Sequence, residues 1–148
     1  MNSETGSERV IIGASICNYA IDPQHNNVYF LLGSEKKYPI WSESGKFSDF
    51  GGTLNDGESP EECAVREWEE ETAGIVRWDD EEPPGVYRSS REPLIQCLKN
   101  KEYTFKIKTL IEGNRAYVTY LKQCPFDANI VCSFQKVTHL LNLSLIHI

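Results

Sequence analysis

The stretch from Gly51 to Gly74, GGTLNDGESPEECAVREWEEETAG, restricts this chain more than any other. It opens with two glycines and a short polar loop that ends at Gly57-Glu58. The signals of a helix start follow. Ser59 is a good N-cap, Pro60 falls at the first helical position, and Glu62 stands where a capping box wants its acid. Nothing from Pro60 to Thr72 breaks a helix, and Ala73-Gly74 supplies the stop, with Gly74 expected in the left-handed cap. On this helix Glu67, Glu70 and Glu71 are three and four residues apart and share a face, while Ala64, Val65 and Trp68 lie on another and can pack inward. Stacked carboxylates repel at ~0.2–0.5 kcal/mol per pair. Glu62 and Glu69 add to the load, and Arg66 is the only cation within the helix. Fold stability gives no reason for such a face. A hard divalent cation such as Mg²⁺ or Mn²⁺ does, because it prefers carboxylate oxygens.

The same residues resemble the Nudix box. That pattern is a glycine, five residues, a glutamate, seven residues, Arg-Glu, an apolar residue, any residue, Glu-Glu, any residue, a glycine and an apolar residue. Gly52, Glu58, Arg66, Glu67, Trp68, Glu70 and Glu71 fit in register. The sequence departs at the end, where Ala73 takes the glycine position and Gly74 the apolar one. This reads as a helix stop moved by one residue, with Ile75 in the apolar role.

The resemblance implies an α/β fold, the Nudix-type α/β/α sandwich with a mixed sheet. It also implies metal-dependent hydrolysis of a pyrophosphate linkage in a nucleoside diphosphate joined to a group X. By position, Glu67, Glu70 and Glu71 are expected to hold Mg²⁺ or Mn²⁺, with the backbone carbonyl of Gly51 as a further ligand because glycine allows close approach. Glu58 is expected to bind a second ion directly or through water, and Arg66 to orient the acids. Glu58, Arg66, Glu67 and Glu70 are thus the implied catalytic set. The general base is a box glutamate or an acid on a later loop, for which Glu112 and Asp127 are available. The run from FLLGSE to WSESGKFSDFGG is similar to Nudix proteins of large DNA viruses and some eukaryotes, several of which act on capped RNA or on diphosphoinositol phosphates. A nucleotide or other small diphosphate is the generic substrate and capped RNA the first specific one. A diphosphoinositol polyphosphate hydrolase and a non-catalytic nucleotide-binding module are the alternatives. A binding module usually lacks a box acid, and here none is missing.

A length of 148 residues suffices for one domain with a proper core. The net charge of -7 argues against a protein that coats nucleic acid, but not against an enzyme that holds its nucleotide through a metal. Cys17, Cys63, Cys97, Cys124 and Cys132 form neither a disulfide framework nor a zinc pattern, so a reducing, cytoplasmic setting is expected. No apolar run has the length of a membrane helix.

Along the chain, residues 1–8 read as a disordered start and 9–142 as the Nudix domain. Val10 to Tyr19 and Val28 to Gly33 are expected to form a hairpin, with His25 a solvated turn residue. Lys36, Lys37 and Lys46 surround Trp41 in a polar loop, where lysines would meet phosphates and the indole would stack on a base. Lys37, Trp41 and Lys46 are the substrate-binding candidates. Phe47 to Gly51 reads as a strand with Phe47 and Phe50 in the core, and Ile75 to Trp78 as another. Asp79 to Arg91 reads as a loop, and Glu92 to Lys101 as a turn of helix. Tyr103 to Glu112 alternates like a half-buried strand and turns at Gly113-Asn114 into Arg115 to Lys122. Ile130 to Asn142 has helical spacing. About six strands and two helices result. Residues 143–148, LSLIHI, follow without a cap and look like a translated sequencing adaptor. They are expected to be a non-native tail on a domain that lacks its C-terminal strand and helix.

Overall fold

The computed structural model describes residues 8–34, 46–79 and 91–146. The long strand β1 (Val10–Ile21) is its axis. Apolar and β-branched residues favour an extended backbone here. One edge of β1 is taken by β7 (Arg115–Gln123), which runs parallel to it from Val10↔Arg115 to Tyr19↔Gln123. The other edge is shared. Its first half pairs antiparallel with β5 (Phe50–Thr53), from Gly13↔Thr53 to Ile16↔Phe50. Its second half pairs antiparallel with β2 (Val28–Leu31) across the turn at Asp22–Asn27. Strand β6 (Phe105–Ile111) completes the mixed sheet on the far side of β7, in the order β2-β1-β7-β6 with β5 alongside β1. A separate two-residue pairing joins β3 (Gly33–Ser34) to β4 (Phe47–Ser48).

Side chains alternate across a strand, so Ala14, Ile16 and Asn18 of β1 share a face with Val118 and Tyr120 of β7 through the registered pairs. The helix α1 (Pro60–Thr72) packs on β1 and β5 through Cys63, Ala64, Val65 and Trp68. Trp68 Nε1 donates to Asn18 Oδ1 at 2.6 Å, which satisfies the one polar atom of the indole inside the core. Helix α2 (Arg91–Lys99) lies against α1 with Leu94, Ile95 and Leu98 buried. Each such aliphatic side chain contributes ~1.5–3 kcal/mol of burial. Helix α3 (Ile130–Ile146) meets this core at Ile130.

The helix start is as the sequence requires. Ser59 caps α1, the capping box with Glu62 closes, and Pro60 follows at the first position. The helix stop keeps Gly74 left-handed, as expected, and adds a second left-handed residue before it. The left-handed residue after Thr72 is Ala73, at φ 53° and ψ 26°, and Gly74 is left-handed too, at φ 67°. The Gly74 amide bonds back to the Glu69 carbonyl at 3.1 Å. Gly74 thus closes the helix, and an alanine, itself left-handed, occupies the position where the box has its glycine.

Other expectations are corrected. Among the described residues there are seven strands and three helices. Phe47 is 71% exposed because the short β3–β4 pair stands outside the main sheet, whereas Phe50 is buried. Residues 75–78 make bends instead of a strand, with Val76 buried and Ile75 packed on the core. The helix expected near Glu92 starts at Arg91. β6 is exposed along most of its length, since among the described residues it is an edge strand with no layer packed over it. α3 runs on through residue 146. All five cysteines are free, Cys63 and Cys97 being buried and Cys17 only partly so. Among the described residues no helix is long and apolar enough to cross a membrane.

Candidate active site

The loop from Thr53 to Glu58 and the first two turns of α1 are fastened by one side chain. Arg66 donates from Nε to Glu58 Oε1 at 2.7 Å and from Nη2 to Glu58 Oε2 at 2.9 Å. This is the two-pronged geometry that matches a guanidinium to a carboxylate. Nη1 donates to Glu67 Oε1 at 2.6 Å, and Nη2 also reaches the Thr53 carbonyl at 3.1 Å. Glu58 further accepts from the Asn55 amide at 2.9 Å. The Arg66 guanidinium holds the Glu58 carboxyl below the usual range, and the two acids in turn raise Arg66.

The paired glycines of β5 face this cluster. A Cβ on Gly52 would lie 2.4 Å from Glu67 Oε1, so a larger residue there would push that carboxylate out of its present position. Gly51 donates its amide to Glu71 Oε2 at 2.9 Å. Its own missing Cβ has a different cause from the one expected: it would fall 2.3 Å from Ser15 Cβ and 2.4 Å from the Tyr117 hydroxyl. Packing across the sheet already demands glycine at position 51. Glu70 points outward, 53% exposed, with Arg66 Nη1 and Arg91 Nη2 each 3.8 Å from one of its oxygens. Arg91 Nε also pairs with Glu69 Oε2. Glu69 and Glu70 therefore have a cationic partner that lies some twenty residues away in sequence, beyond the reach of helix-periodicity arguments.

Glu58, Glu67, Glu70 and Glu71 are thus gathered along one side of α1 and its loop, linked by Arg66 and the Gly51 amide. Among the described residues, no three His, Cys, Asp or Glu side chains converge closely enough to hold a metal ion. The donor set still fits a hard divalent cation. It is all oxygen, and the cradle at Gly52 is shaped to a carboxylate. Closing these acids on an ion requires that some of the arginine contacts give way.

A cleft of about 560 Å³ runs beside this face. Glu71 and Asp49 border it, and Phe47, Phe50, Ile75 and Phe134 supply apolar walls. Sequence reasoning missed Asp49. Its Oδ2 accepts from Ser15 Oγ at 2.6 Å and Thr119 Oγ1 at 3.2 Å, and the two hydroxyls are 2.8 Å apart. The available signal was one small hydroxyl residue in each of two neighbouring strands, Ser15 in β1 and Thr119 in β7. Tyr117 lies in the same layer, and burial pushes its hydroxyl up to about 12.

The remaining expected residues are dispersed. Lys46 is exposed just before β4, and Lys37 and Trp41 lie outside the described residues. Glu112 is exposed in the β6–β7 turn, while Asp127 accepts from the Asn129 amide at 2.8 Å ahead of α3. His25 pairs with Asp22 in its turn at 2.7 Å, with most of the ring in solvent.

The family model described as the NUDIX domain matches residues 13–116. The chain belongs to the Nudix family. Two solved structures resemble it in outline. One is a MutT/nudix family protein from Enterococcus faecalis, at 16% identity and TM-score 0.43, covering 83% of this chain and 39% of that one. The other is the Nudix hydrolase RenU from M. Smegmatis, at 16% identity and TM-score 0.47, covering 88% and 86%. The present chain thus spans well under half the length of the Enterococcus protein. The matched region contains the Nudix box from Gly52 to Gly74, together with β1 from Gly13 onward, both partners on its shared edge, α2 and β6.

Proposed function

We propose that this Nudix protein hydrolyses a pyrophosphate linkage in a nucleoside diphosphate joined to a second group, with capped RNA as the first specific substrate to test. The observation that carries the reading is the carboxylate-lined side of α1, with Glu67 seated on Gly52, next to a cleft large enough for a nucleoside. In this reading Glu67, Glu70 and Glu71, with the Gly51 carbonyl, hold Mg²⁺ or Mn²⁺, and Glu58 serves a second ion. A divalent cation bound there supplies the positive charge that offsets charge building on phosphate oxygens in the transition state. Arg66 gathers Glu58 and Glu67 beside the loop, so the acids are already close together before an ion binds. The aromatic and aliphatic walls of the cleft exclude water and take a base or ring, while its acidic border lies toward the diphosphate.

The experiment is phosphate release from a panel of dinucleotides, nucleotide sugars, a cap analogue and a diphosphoinositol polyphosphate, in Mg²⁺, in Mn²⁺ and in excess chelator. Turnover is expected with the divalent cations and none with chelator. Glu70→Gln is expected to lose ~10²–10³ in rate, the cost of a removed transition-state contact. Metal-free stability should fall slightly, by up to ~1 kcal/mol, because the substitution leaves Arg66 and Arg91 facing one another without the carboxylate between them. Full turnover in chelator, or normal turnover by Glu70→Gln, removes the metal-hydrolase reading. Nucleotide binding without turnover on any substrate favours a non-catalytic module.

A further inference from the structure

Among the described residues, the acidic side of α1 carries two guanidinium groups, and only Arg66 comes from that helix. Arg91 is the first residue of α2, and its ion pairs run to Glu69 and Glu70. The two arginines differ in what holds them. Arg66 is nearly enclosed and is tied to Glu58, Glu67 and the Thr53 carbonyl. Arg91 is 43% exposed and can turn into solvent without leaving a buried charge behind. Beyond Arg91, α2 is held to the core by the apolar side chains Leu94, Ile95 and Leu98, so Arg91 is the charged tie at its very start.

A divalent ion at Glu70 and a guanidinium on the same carboxylate repel one another, and the group with the freer exit gives way. We propose that Arg91 is a resident counter-cation of the acidic face that competes with a divalent cation for Glu70, so that cation binding loosens the charged tie between the start of α2 and α1. The inference rests on the reading of Glu70 as a metal ligand. It makes Arg91 a positioning residue: the face stays neutralised when empty, and its affinity for metal is set partly by a side chain outside the box.

The test is Mn²⁺ titration calorimetry at low salt on the full chain, with wild type, Arg91→Ala, Arg91→Lys, Glu70→Gln and Lys99→Ala compared. Lys99 pairs with Glu62 at 3.3 Å between the same two helices but away from Glu70, so it controls for a general loss of positive charge. Arg91→Ala should bind Mn²⁺ about two- to fivefold more tightly, the range that a partly exposed ion pair allows. Arg91→Lys should stay close to wild type, Lys99→Ala should not change, and added salt should shrink the gain. Amide exchange at Ile95 to Cys97, whose amides reach back to the first turn of α2, should quicken when Mn²⁺ is added to wild type. In Arg91→Ala it should be fast already and insensitive to Mn²⁺. Equal or weaker Mn²⁺ binding by Arg91→Ala, or slower exchange in wild type on adding Mn²⁺, overturns the competition. If Glu70→Gln weakens Mn²⁺ binding while Arg91→Ala has no effect, the competition alone fails. If Glu70→Gln binds Mn²⁺ like wild type, the ligand assignment of Glu70 fails and the competition falls with it.

Discussion

Arg66 joins a loop, a strand and a helix with a single guanidinium, and the carboxylate it grips most fully is Glu58. That grip lowers the Glu58 carboxyl below its ordinary value of 4.5. A carboxyl that is more acidic in the folded chain than in the unfolded one stabilises the fold above its unfolded value. The contribution is lost as pH falls through the lower, folded value. Glu58→Gln in chelator should therefore cost ~1–2 kcal/mol at neutral pH, since a charge-assisted pair becomes an ordinary hydrogen bond. Below pH 4.5 the variant and wild type should converge. Urea unfolding between pH 7 and pH 3 reads this directly. A constant gap across the whole range would show that the Glu58 charge is not what Arg66 stabilises.

At the scale of the element, α1 begins with every device the chain can offer and ends with a strained one. Ala73 adopts a left-handed backbone that costs an L-residue with a Cβ roughly 1–2 kcal/mol. Glycine avoids that cost but loses more entropy on folding. Ala73→Gly should therefore stabilise the protein by a net ~0.5–1 kcal/mol, measured as a higher urea midpoint with an unchanged slope. A destabilised variant would mean that the Ala73 methyl packs usefully at the cap. The neighbouring acid Glu69 also changes character once α2 is in place. From the helix alone it is a bystander, but its pairing with Arg91 predicts that Glu69→Gln loosens the α1–α2 contact while leaving Mn²⁺ affinity at Glu70 within about twofold.

For the whole molecule, the sheet is covered unevenly. α1 and α2 account for one face, whereas β6 is an edge strand with Phe105 62% exposed and Ile107 and Leu110 also in solvent. An uncovered edge offers unpaired backbone groups to a second chain, and apolar side chains strengthen that contact. The 148-residue protein is therefore expected to self-associate as concentration rises. Ile107→Lys with Leu110→Lys, one charge on each face of β6, should reduce light scattering and dye binding without lowering the unfolding midpoint by more than ~1 kcal/mol. Equal scattering from the variant would exonerate this edge.

Local chemistry made α1 legible from sequence. The cap, the proline, the capping box and the periodicity of Ala64, Val65 and Trp68 all act within one or two turns, where neighbours in sequence are neighbours in space. The β1–β2 and β6–β7 pairings were legible for the same reason, since a short turn fixes each. Tertiary structure decided what required distant partners. Gly51 is dictated by Ser15 and Tyr117 across the sheet, and Asp49 is held by hydroxyls from two other strands. Phe47 stays exposed because its short strand pairs with β3 alone. The charge of Glu69 and Glu70 is balanced by an arginine from another helix, and no spacing along α1 encodes where that helix docks. Hydrogen bonds and rotamers within a turn are fixed by the chain's own geometry, but contacts between elements depend on which apolar faces meet, and only the packed core selects those.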